Sequence, residues 1–152
     1  PSNYGGRKKA IPKRAATAQL IVKEILTILS QDASAEIVLL GDFNEDPDEM
    51  NVQSLKTVGL TSLMEPMLGM EKVGTYVYRG EDLFYDQIIV SEGLKDKKGL
   101  GFDSESVMIL DLPKYRQQEG DYAHYPFRFW AGNSLLGGYS DHLAVRVTII
   151  KI

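Results

Sequence analysis

The run Ile37-Val38-Leu39-Leu40-Gly41-Asp42-Phe43-Asn44 constrains this chain more than any other stretch. A continuous apolar run with β-branched members suits a buried β-strand covered on both faces. The strand then stops in a polar hook. Asp42 and Asn44 stand two apart, so both side chains leave the same side of the pleat. Open α/β sheets gather their chemistry at the carboxyl ends of strands. Two later segments share this character. Leu83-Phe84-Tyr85-Asp86-Gln87-Ile88-Ile89-Val90 carries Asp86 into an apolar strand, and Tyr139-Ser140-Asp141-His142-Leu143-Ala144-Val145 delivers an acid and an imidazole where another strand begins.

The remaining pattern is that of an α/β unit. Residues 1–6 read as loop, followed by the basic group Arg7, Lys8, Lys9, Lys13 and Arg14. Ala15, Ala18, Val22, Ile25 and Leu29 recur at three- and four-residue steps and predict a helix over 12–30, with Pro12 in its first turn. A strand over 36–40 follows. Pro47 ends the hook, and Asp48-Glu49 opens a short helix. Glu45, Asp46 and Asp48 read as solvated acids, with Asp46-Pro47 forming a structural turn. Residues 60–70 read as irregular or briefly helical, and 75–78 and 84–90 as strands. Residues 93–103 read as a Gly-, Lys- and Asp-rich loop, and 107–112 as a short apolar segment. Residues 115–133 form a long aromatic loop, of a length that is often functional. The last strand covers 143–152, with Val145, Val147 and Ile149 on one face.

Composition excludes little. At 152 residues with 43% hydrophobic and 25% charged content, the chain suits one ordinary globular domain. Its net charge of −4 gives no global attraction to nucleic acid or anionic membrane, though a bound cation could reverse the field locally. There is no cysteine, hence no disulfide or thiolate metal site. No apolar run reaches the ~20 residues of a membrane helix. The compartment stays open.

The order Gly41-Asp42-Phe43-Asn44, Asp86-Gln87-Ile88-Ile89-Val90-Ser91, Ser140-Asp141-His142-Leu143 resembles the endonuclease/exonuclease/phosphatase family. Pro1-Ser2 with Gly5-Gly6, Gly74 to Gly80, and Gly137-Gly138-Tyr139 add to the likeness, which spans nearly the whole chain. The resemblance implies an α/β (α+β) fold, the deoxyribonuclease-I-like four-layer sandwich, here mainly as its C-terminal half: a mixed sheet with helices on one face. Family members are longer and contain two similar halves. Residues 1–152 would then be the C-terminal part of a single domain, with the N-terminal half absent. The family's metal-binding Glu and its first catalytic Asn would lie upstream, and a start at Pro1 rather than Met agrees with a fragment.

The resemblance also implies metal-dependent hydrolysis of phosphoester bonds, by a phosphodiesterase, nuclease or phosphatase using Mg²⁺ or Mn²⁺. Asp42 would act on the nucleophilic water or the leaving group, and Asn44 would hold the phosphate. Asp141 would bind the metal, with Asp42 and Asn44 available to a second ion. His142 would contact the scissile phosphate, oriented by a hydrogen bond that Asp86 accepts. For each, a bland alternative stands: an Asx pair closing a turn, a surface acid beside a capping histidine, an edge-strand acid facing water. Tyr78, Arg79, Arg128 and Trp130 are candidates for substrate contact, or else pins that fasten loops to the core. His124 matches no motif. The implied substrates are nucleic acid, phospholipid, or sugar or inositol phosphate. The other implied partners are the missing half and, through the uncovered sheet, a second copy of the chain. On this reading the parent protein hydrolyses and this chain alone is inactive; a silent binding module and a truncation without separate biology are the competing readings.

Overall fold

A computed structural model describes residues 6–96 and 98–152; Pro1, Ser2, Tyr4 and Gly5 fall outside them. The long helix α1 spans Arg7–Gln31, starting earlier than the sequence pattern predicts. The usual start signals are missing: the N-cap is Gly6, no acid sits in the first turn, and Pro12 lies inside the helix. Strand β1 (Val38–Asp42) follows, then helix α2 (Met50–Lys56) and strand β2 (Leu60–Ser62). The hairpin β3 (Tyr76–Tyr78) and β4 (Glu81–Leu83) leads to β5 (Asp86–Ser91). Strand β6 (Leu100–Ile109), the small hairpin β7 (Trp130–Ala131) and β8 (Ser134–Leu135), and β9 (Val145–Lys151) complete the chain.

β5 is the centre of one sheet, paired with β1 on one side and β2 on the other. Ile89 on one face joins Leu60, Ile25 of α1 and Val52 and Leu55 of α2. Ile88 and Val90 on the other face meet Phe102 and Val107 of β6 and Val145 and Val147 of β9. The layers are therefore helices, sheet, and a second sheet built from β6 and β9. Among the described residues the expected mixed sheet does not appear: every named strand pair is antiparallel. Parallel neighbours need a long crossover, usually helical; α2 does connect β1 to β2, but β5 lies between those two strands and runs antiparallel to both.

β1 is not covered on both faces. Leu39 packs against the helix-side core, but Val38 is 41% and Leu40 66% exposed. Both lie opposite residues of β5 that the second sheet buries, Val90 and Ile88, so the second sheet covers β5 and stops short of β1. Two other segments differ from the sequence pattern. Residues 60–70 contain β2 and a 3₁₀ turn over Glu65–Met67. The region read as a loop and a short apolar segment holds β6, whose register against β9 shifts between Asp103 and Met108. That irregularity breaks the two-residue period, and the Ser106 hydroxyl, accepting from the Thr148 N–H at 2.7 Å, bridges it.

Candidate functional site

The polar hook forms because an antiparallel register ends in an Asx turn. Asp42 is the last residue of β1 and lies opposite Asp86, the first of β5. Opposite residues share a face, so both carboxylates stand at the end of the face that carries the second sheet. Asn44 takes the left-handed conformation, φ +54°, which asparagine tolerates well. Its backbone N–H donates to Asp42 Oδ1 at 2.7 Å and its side-chain amide to Oδ2 at 2.8 Å. Phe43 between them donates its N–H to the Tyr85 carbonyl at 2.8 Å.

Of the acids after the hook, Asp48 is exposed as read, but Glu45 and Asp46 are not simply solvated. Glu45 is buried, and Oε1 accepts from Arg14 Nε at 2.8 Å and from Asn51 Nδ2 at 2.8 Å. Its carbonyl accepts from the buried Gln87 amide at 3.2 Å. Arg14 had a legible signal: it precedes Ala18 by four residues and Ile25 by eleven, on the helix face that is buried. Asp46 does close a turn. Its Oδ1 accepts the Phe84 N–H at 2.5 Å, and its carbonyl the Glu49 N–H at 3.0 Å. Burial pushes its carboxyl up from the ordinary value, against the pull of that hydrogen bond.

Asp86 Oδ2 and His142 Nδ1 lie 2.7 Å apart. Thr75 secures both partners: its hydroxyl accepts the Asp86 N–H at 3.1 Å, and its carbonyl accepts the Leu143 N–H at 2.7 Å. Burial alone would lower the His142 imidazole. The hydrogen bond to Asp86 and the charges of Asp86, Asp42 and Asp141 outweigh it, so its pKa is raised. The Ser140-Asp141-His142 segment rests on the aromatic loop, where the Phe127 carbonyl accepts from the N–H groups of Tyr139 at 2.6 Å and Ser140 at 3.3 Å. Gly138 permits this approach: a Cβ there would stand 2.1 Å from the Phe127 oxygen.

Asp42, Asn44, Asp141 and His142 border one open cleft of about 810 Å³, which Arg7, Tyr76, Tyr78, Arg79 and Tyr85 also line; Asp86 is not among its lining residues and bonds the one imidazole that is. Arg79 sits in the tight β3–β4 turn at φ +53°, followed by Gly80 at φ +87°. Two successive positive φ values match a type I′ hairpin. The Tyr125 hydroxyl accepts the Gly80 N–H at 2.7 Å, so the aromatic loop holds the turn that presents Arg79. Arg7 pairs with Glu49, whose hydrogen bond raises its pKa. Sequence reading had left Arg7 out of the site and had weighed Tyr76 evenly between a substrate-facing rim and a structural pin.

Arg128 and Trp130 are not among the cleft-lining residues. Trp130 is exposed on the β7–β8 hairpin, edge-on to Phe129. His124 adopts φ +83°, packs its ring near Tyr125 and gives its carbonyl to Arg116, all within the aromatic loop. Among the described residues, no group of three or more His, Cys, Asp or Glu could hold a metal ion. Asp141, with Asp42 and Asn44 nearby, is too small a set to retain Mg²⁺ without phosphate or other oxygen ligands.

Residues 1–151 match the profile described as the Endonuclease/Exonuclease/phosphatase family. Neither the curated proteins nor the solved structures contain a significant match. No helix among the described residues is long and apolar enough to cross a membrane.

Proposed function

The chain belongs to the endonuclease/exonuclease/phosphatase family, and we propose on that footing that it supplies the acids and the imidazole of a metal-dependent phosphoester hydrolase. The observation that supports this most directly is the Asp86–His142 pair at 2.7 Å, beside a cleft that Asp42, Asn44 and Asp141 also line. With Asp86 accepting from Nδ1–H, the tautomer is set and Nε2 is the nitrogen left for chemistry. The raised pKa favours the imidazolium, which donates to a phosphoryl oxygen as negative charge builds. Asn44 holds a phosphate oxygen, and Asp42 orients the attacking water or the leaving oxygen. Arg79 and Tyr78 flank the phosphate's substituent. Arg128 and Trp130 meet only substrates that extend toward the β7–β8 hairpin.

Asp141 is the carboxylate assigned to Mg²⁺ or Mn²⁺, with Asp42 and Asn44 near a second ion. The rest of the ligand set belongs to an N-terminal half of the same domain, which would complete the four-layer sandwich and cover Val38 and Leu40. Residues 1–152 alone are then inactive and self-associate through that face.

The test is hydrolysis of bis-p-nitrophenyl phosphate with Mg²⁺, plasmid and phospholipid being assayed in parallel. The intact gene product should turn over and lose that turnover on Asp42→Ala or His142→Ala, whereas residues 1–152 should not turn over. Intact protein that binds substrate without hydrolysing it would instead identify a silent binding module. A monomeric, fully active 1–152 chain would refute the missing half.

A further inference from the structure

A single hydrogen bond leaves an imidazole underdetermined. Histidine χ2 is a broad torsion, and the bond from Nδ1 to Asp86 fixes one atom while the ring can still swing about that contact. Something else must choose its plane. The Tyr76 ring lies 4.7 Å from the His142 ring, centroid to centroid, tilted by 30°. Behind it the Tyr85 ring stacks on Tyr76 at 5.4 Å and 16°. Tyr85 is buried, so the column rises from fixed ground.

The backbone holds this column in register. Tyr76 and His142 form an antiparallel bridge, which puts both side chains on one face. On either side of Tyr76, Thr75 and Val77 are fully buried and turn the other way. Thr75 also receives the N–H groups of Asp86 and Leu143. One dipeptide, Thr75-Tyr76, thus touches the backbone of the aspartate that bonds the imidazole, the strand that carries the imidazole, and the ring itself.

We propose that Tyr76, backed by Tyr85, is a positioning residue that fixes the plane of the His142 imidazole, so that Nδ1 meets Asp86 while Nε2 addresses the cleft. The proposal rests on His142 being the reacting imidazole. The flat ring carries the role and the phenol hydroxyl does not, because the contact is between the two rings, their planes tilted by 30°.

The experiment compares wild type, Tyr76→Phe, Tyr76→Ile and His142→Ala in the intact protein with bis-p-nitrophenyl phosphate. Isoleucine keeps β-propensity while removing the flat face. Tyr76→Ile should lower kcat roughly ten- to a hundred-fold at nearly unchanged KM, the scale of a small misplacement of a reacting group. Tyr76→Phe should stay within about twofold of wild type. In proton NMR of the same proteins, the hydrogen-bonded His142 Nδ1–H should appear far downfield in wild type and Tyr76→Phe and broaden away in Tyr76→Ile. Full activity in Tyr76→Ile with His142→Ala inactive overturns the positioning role alone. Full activity in His142→Ala overturns the functional reading beneath it. Equal losses in Tyr76→Phe and Tyr76→Ile would move the role to the hydroxyl and overturn the proposal as well. Should Tyr76→Ile not fold, the wild-type spectrum decides: a tyrosine face shifts the His142 ring protons upfield, and unshifted protons overturn the stack.

Discussion

Removing the guanidinium of Arg14 should destabilise this protein strongly. The side chains of Arg14 and Glu45 are 3% and 6% exposed, and their ion pair is 2.8 Å long. Breaking one side of such a pair costs about 3–5 kcal/mol, because an uncompensated charge stays buried. In Arg14→Met, Asn51 still donates to the Glu45 carboxylate, which favours the lower end. We therefore expect Arg14→Met to lose about 3–4 kcal/mol at pH 7, or about 6–16 °C in melting temperature for a chain of this size. Arg14→Met combined with Glu45→Leu should recover most of the loss, since a packed apolar pair replaces buried charges at little cost. Urea titrations of the wild type and both variants measure this. A loss below about 1 kcal/mol in Arg14→Met, or a double variant no more stable than Arg14→Met, would refute the argument from a buried, uncompensated charge.

Asp86→Asn in the intact protein should cut turnover by about a hundred-fold or more while leaving the fold intact by circular dichroism; unaltered turnover removes Asp86 from the reaction. Gly138→Ala should destabilise by about 1–3 kcal/mol, because the new methyl group meets the backbone of Phe127 and Arg128 rather than a side chain that could move. The same variant should lose activity, as the segment bearing Asp141 and His142 is pushed off the loop, and a wild-type kinetic profile would show that this support is unimportant. In chelator-treated protein, the raised His142 pKa adds stability that is complete below about pH 6.5 and fades as pH rises through the folded value. His142→Gln should flatten that part of the melting profile, and an unchanged slope would exclude the contribution.

Much of the frame was legible. The apolar run closed by Gly41-Asp42-Phe43-Asn44 marks β1 because polarity changes abruptly at the strand end, and the three- and four-residue spacing from Ala18 to Leu29 marks α1. The Asp86–His142 contact could be expected only through family resemblance, since nothing in one sequence links residues 56 positions apart. The errors have physical causes. Glu45 read as solvated because charge in isolation predicts exposure, and only the burial of Arg14 on the helix face reverses that. β6 was split because its register shift interrupts the alternation. The strand β1 read as covered twice because Val38 and Leu40 are apolar, although the second sheet does not reach them. The Tyr76–His142 stack depends on a bridge between distant segments that leaves no local pattern.

The register between β1 and β5 also makes activity a measure of correct folding. Asp42 faces Asp86 only in the pairing observed, Val38 with Val90 through Asp42 with Asp86. A slip of one residue would turn Asp42 to the helix side and bring Leu39 out among the exposed positions. No compromise exists, because side chains alternate strictly between faces. A molecule with this pair misaligned keeps its strands, much of its helix and a similar circular dichroism spectrum, yet has no assembled site. After refolding, lost activity should therefore appear as a smaller number of fully competent molecules rather than as a population with uniformly reduced rates. Titrating active sites would count the chains in register, which a spectroscopic measure of secondary structure would overestimate.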